Sequence, residues 1–117
     1  KVVITGEGSD EILAGYDMAV FPSEKEGLPV ALLEKMAAGM PVVASDIPEI
    51  KNVIQDPEEA LLFPVNDAAA CAAQLYRLMQ DQQLRIRIGA TGRKAVENRY
   101  AASLADRYAA FYKKLFE

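Results

Sequence analysis

The 117-residue sequence contains no histidine and a single cysteine. Without imidazole there is no histidine general base, no Ser–His or Cys–His nucleophile and no histidine metal ligand. One thiol, Cys71, closes no internal disulfide and builds no thiolate metal cluster. It lies among Ala69, Ala70, Ala72 and Ala73, and its plain reading is a buried structural thiol. Every apolar run is far shorter than a membrane span, and Lys1 opens straight into a short apolar stretch, unlike a signal peptide. These absences lead to the expectation of a soluble, reducing, cytoplasmic setting.

What is present fits one domain: 51% hydrophobic and 26% charged residues, with 7 Gly and 6 Pro. That composition is globular, and the length leaves no room for a second domain of ordinary size. Charge is uneven. Residues 1–66 carry 12 acids and 4 bases, net −8, whereas 67–117 carry 5 acids and 9 bases, net +4. An acidic chain of this kind is not expected to bind nucleic acid. The bases Arg77, Arg85, Arg87, Arg93, Lys94 and Arg99 alternate with apolar residues and read as a solvated helical face.

Apolar runs without alternation fall at Val2–Ile4, Met18–Phe21, Pro41–Ala44 and Ala60–Phe63. Such runs suit strands buried on both faces of a parallel sheet. Between them, Ser9 or Asp10 caps a short predicted helix through Ala14. A longer helix over 28–40 is opened near Pro29 and closed by Gly39, and a short one covers 48–54. From Asn66 or Asp67 onward the pattern predicts only helices, about 67–80, 82–98 and 101–116, with breaks near Asp81 and Tyr100. The expected fold class is α/β, with a Rossmann-like parallel sheet of four strands and extra C-terminal helices.

In open parallel sheets ligands bind beyond the carboxyl ends of the strands. The loop Pro22–Gly27 feeds the long helix, whose free N–H groups suit a phosphate or a sugar hydroxyl. Gly27 lets a ligand approach the backbone. Glu26 and Glu34 are eight positions apart, within roughly 80° of one direction on a helix. Glu34 shares its stripe with Val30, Ala31, Ala37 and Ala38, and a carboxylate among small apolar residues is costly unless a polar group meets it. The plain alternative is a rim carboxylate paired with Lys35 or Lys25.

Phe21-Pro22-Ser23, Glu26-Gly27-Leu28-Pro29, Leu33-Glu34, Met36-Ala37, Gly39 and Pro41-Val42-Val43-Ala44-Ser45 resemble the C-terminal domain of GT-B glycosyltransferases. More narrowly they resemble the retaining group 1 enzymes, glycosyltransferase family 4, whose two-glutamate motif Glu26 and Glu34 match. The resemblance runs on through Ile50–Ile54, Ala60–Asp67 and Leu84…Ile88-Gly89…Gly92-Arg93. It implies a nucleotide-diphospho-sugar donor, transfer with retention and no cofactor. The absence of any Asp-x-Asp pair agrees with a metal-free mode. By position, Glu26 would face the reacting sugar carbon and hold sugar hydroxyls. Gly27 and Leu28 would offer N–H groups to the diphosphate or the sugar. Glu34 would hold the ribose hydroxyls, and Ser23 would lie near the sugar or the base.

The resemblance also implies partners: an acceptor that is a glycan, a lipid or a small molecule, and an N-terminal GT-B domain missing here. A membrane surface is a further partner open to the longer parent. The basic residues that normally hold the diphosphate precede the strand at Val2–Ile4, so the 117 residues alone are expected not to transfer sugar. Where the family commonly has a second Gly-Gly segment, this sequence reads Asp46-Ile47-Pro48-Glu49.

Three rival readings stand beside this one. The first is a stand-alone, non-catalytic nucleotide-sugar-binding or interaction module. Second, Thr5–Glu11 resembles a segment of asparagine-synthetase-type enzymes, but over about a dozen residues only, and its plain reading is a strand-to-helix turn. Third, a receiver-type signalling domain would need an acidic pair after its first strand, an Asp ending its third and a Lys after its fifth, none of which is in place. The aromatics Tyr100, Tyr108, Phe111, Tyr112 and Phe116 fall at helical spacing and read as core or interdomain packing.

Overall fold

The structure, a computed structural model, describes residues 2–4, 18–23, 30–55 and 57–107. The short helix expected after Ser9, the loop 24–29 and the chain beyond 107 lie outside the described residues.

Four strands, β1 (Val2–Ile4), β2 (Met18–Phe21), β3 (Val42–Ser45) and β4 (Leu61–Phe63), form one sheet in the order β1-β2-β3-β4. Every neighbouring pair is parallel, with Ala19 beside Val42 and Val43 beside Leu61. Their near-continuous apolar character has a direct cause, since both sheet faces are covered. Ala19, Phe21, Val42 and Ala44 pack on one face against Leu32, Leu33, Met36 and Ala37 of α1 (Val30–Ala37) and Ile50 of α2 (Pro48–Lys51). Met18, Val20, Val43, Leu61 and Phe63 pack on the other face against Leu78 of α3 (Ala68–Gln80).

Helix ends follow local chemistry. Asp67 accepts the Ala70 N–H at 2.9 Å and caps α3. Asp81 ends α3 and starts the next helix, accepting the Leu84 N–H at 3.0 Å. Gly39 closes α1 at φ +82°, a left-handed conformation that suits glycine, with Met40 N–H returning to the Lys35 carbonyl.

The last helix corrects the sequence reading. α4 runs unbroken over Gln82–Arg107, with no break at Tyr100. No Gly or Pro stands near Tyr100, and Ala101 and Ala102 carry the helix on. Its start buries Leu84 and Ile88 with α3, whereas Val96 joins the α1 side. α4 thus ties the two covered faces together. Glycine makes this crossing close: a Cβ at Gly89 would collide with the Gly39 carbonyl, and one at Gly92 would sit 2.9 Å from the Glu59 carbonyl.

We therefore expect Gly89→Ala to lower the unfolding free energy by about 1–3 kcal/mol, a cost typical of overpacking. Alanine's better helix propensity, about 1 kcal/mol, does not offset a backbone collision. Urea unfolding of the two proteins gives the difference, and equal midpoints would show that α4 stands off the Gly39 turn.

Candidate functional site

The site is built on the carboxyl end of β2. Phe21 is buried, Pro22 stops the strand because it has no N–H to continue a ladder, and Ser23 follows half-buried. The Phe21 carbonyl, left at the strand end, accepts a 3.1 Å hydrogen bond from Ser45 Oγ. Ser45 is the last residue of β3 and 0% exposed. This bond joins the ends of two neighbouring strands and fixes the point at which the Pro22–Ser23 segment leaves the sheet. Ser45 was part of the motif in the sequence but had no role there. The signal was a hydroxyl ending a fully apolar strand, which must find a partner once buried.

Of the five candidate residues, the structure places two. Ser23 lies just past β2, and Glu34 lies on α1, half-buried. Glu26, Gly27 and Leu28 lie outside the described residues. Around Glu34, Val30, Ala31 and Ala38 are half-buried and Ala37 is buried, so its stripe is no solvent-facing one. Lys35 was a possible rim partner in the plain reading. It is instead 1% exposed and belongs to the interior.

Beside Pro22 the carboxyl ends of the strands border a cleft of about 500 Å³, walled by Phe63, Cys71 and Leu75 with Asn66 and Asp67 at one side. Asn66 is left-handed at φ 63°, which turns the chain from β4 into α3. Cys71 is half-buried, and burial pushes its thiol pKa up, so it is a poor thiolate and fits a structural role. Among the described residues, no group of three or more acidic, Cys or His side chains is placed to hold a metal ion. No helix among them is long and apolar enough to cross a membrane.

Comparison with known proteins brings this geometry together with a family. The profile of the glycosyl transferases group 1 family matches residues 1–95. N-acetyl-alpha-D-glucosaminyl L-malate synthase of Bacillus anthracis is 31% identical over 103 residues, covering 87% of this chain and 27% of that protein. Sucrose-phosphate synthase from Thermosynechococcus elongatus superposes with a TM-score of 0.70 at 31% identity, over 86% of this chain and 26% of its own. A TarM variant of S. aureus, crystallised with UDP among its ligands, superposes with a TM-score of 0.70 at 22% identity, over 83% of this chain and 20% of its own. That likeness concerns the fold. The chain spans about a quarter of the length of the curated relatives it matches.

Proposed function

Because the chain belongs to the glycosyl transferases group 1 family, we propose that it is a fragment of the donor-binding, C-terminal domain of a GT-B enzyme of family 4. In this reading the whole enzyme takes a sugar from a nucleotide diphosphate and passes it to an acceptor with retention of configuration. It needs no cofactor and works in the cytoplasm, in company with an N-terminal domain that supplies the other wall of the cleft. The acceptor is a glycan, a lipid or a small molecule, and a lipid acceptor would bring the enzyme to a membrane surface.

The observation that carries the reading is the half-buried Glu34 on its small-residue stripe, on the helix that follows the carboxyl end of β2. Ligands of open parallel sheets bind at that end of the strands. Small neighbours leave room for a ligand to reach the carboxylate, and a carboxylate can accept both hydroxyls of a ribose. Ser23 and Glu26 would meet the sugar. The Gly27 and Leu28 N–H groups at the helix entry would face the diphosphate, which both the helix dipole and free N–H groups favour. The UDP bound by the TarM variant supports a nucleotide donor for this fold.

Calorimetry on the full-length enzyme tests the assignment. Glu34→Ala should weaken nucleoside-diphosphate binding by about 1–3 kcal/mol, the range for buried hydrogen bonds to a charged group. Unchanged UDP and GDP affinities would remove Glu34 from the ribose. A module that binds UDP-sugar tightly, yet shows no transfer when its full reading frame is expressed, would favour the non-catalytic alternative.

A further inference from the structure

A second cleft lies away from the carboxyl ends of the strands, beside the outer edge of β4, the last strand in the sheet order. It encloses about 440 Å³ and has an apolar floor that includes Leu62 and Leu84, with Glu58, Gln74, Arg77 and Arg87 around it.

The polar groups here are connected. The Leu62 carbonyl accepts a 2.9 Å hydrogen bond from Gln74 Nε2, which blunts the free edge of the sheet. The same amide accepts from Arg77 Nη1 at 2.9 Å, so the Arg77 guanidinium is held beside the cleft by a side chain anchored on the strand. Arg87 reaches the cleft from α4 and meets Glu58 Oε2 at 3.2 Å, an ion pair with both side chains more than half exposed. Each guanidinium has five N–H donors, and among the described residues each commits one here to a side-chain partner. Two cations and one carboxylate thus line a cleft with an apolar floor. An exposed pair such as Arg87–Glu58 is held weakly enough for an incoming anion to share it.

We propose that this cleft binds a small organic phosphate monoester. Its phosphate sits between Arg77 and Arg87, and its organic body lies on Leu62 and Leu84. A planar guanidinium presents paired donors that match two phosphate oxygens, and a dianion exceeds the charge of Glu58, which it must outcompete. The volume is in the range of small-molecule sites and accommodates a ring in addition to the phosphate. The site is separate from the proposed donor site, because it lies on the strand edge and shares no residue with Ser23 or Glu34.

The test is an NMR titration of the chain, following the Arg77 and Arg87 Nε–H and the Leu62 amide. The probes are inorganic phosphate and phenyl phosphate. Both should saturate, with phenyl phosphate the tighter because of the apolar floor. Arg77→Gln with Arg87→Gln should weaken phenyl phosphate at least 10-fold, while Glu58→Gln, which removes the competing carboxylate, should tighten it. All three side chains are exposed, so folding is retained, and circular dichroism checks this. Phosphatidic acid vesicles carry the same monoester on a lipid. Sedimentation with them that depends on the two arginines would assign the ligand to a headgroup, and its absence would assign a soluble one. Shifts confined to the Ser23 and Glu34 region would overturn the proposal, as would affinity indifferent to the arginines or weakened by Glu58→Gln.

Discussion

Glu59→Ala should lower the unfolding free energy by about 3 kcal/mol. Glu59 is 6% exposed and stands in the turn before β4. It accepts the Gln55 N–H at 3.3 Å and is ion-paired with Arg99 of α4. Arg99 also donates to the Val53 carbonyl at 3.4 Å and the Ala95 carbonyl at 3.3 Å. Removing the carboxylate strands a guanidinium whose side chain is only 24% exposed. The loss falls at the low end of the range for broken buried pairs because part of Arg99 still reaches water. Glu59→Gln keeps an acceptor and should cost less. By contrast, the exposed pairs Arg87–Glu58 and Lys51–Asp46 should each contribute no more than about 1 kcal/mol. Urea unfolding of Glu59→Ala, Glu59→Gln, Glu58→Ala and Asp46→Ala gives the ranking, and a Glu59→Ala protein as stable as Glu58→Ala would refute the buried-pair account.

In the proposed reading, Glu26→Gln in the full-length enzyme should lower kcat by about 100-fold or more while the donor KM changes little. Glutamine keeps the hydrogen-bonding oxygen and the size of the side chain but removes its charge. Glycosyl transfer builds positive charge on the reacting carbon. A carboxylate aimed at that carbon therefore helps the transition state far more than the ground state, and losing such electrostatic support typically costs 10²–10³ in rate. An effect on binding alone would raise KM and leave kcat unchanged. Steady-state kinetics with the donor varied separates the two. Small, equal changes in both parameters would make Glu26 an ordinary surface carboxylate of the loop.

Much of the fold was legible because its signals are local. Each strand is an apolar run, β2 and β4 are followed directly by a proline, and runs without alternation mean a sheet covered on both faces. Asp67, Asp81 and Gly39 marked helix ends through their own side-chain or backbone chemistry. The family was legible for a related reason: its motif residues lie close together, within the single stretch 21–45.

Tertiary structure decided what depends on residues far apart in sequence. The pairing of Glu59 with Arg99 spans 40 positions, and that of Ser45 with Phe21 spans 24. Periodicity tells which face of an element is apolar but not which distant element covers it. Lys35 shows the difference: its charge suggested a rim position, and the packing around α1 buries it. α4 shows it again. Preferences near Tyr100 were too weak to set a boundary by themselves. The sequence alone also did not show that glycines at 89 and 92 let α4 press against the Gly39 and Glu59 carbonyls. That contact exists only once the sheet has brought these turns together.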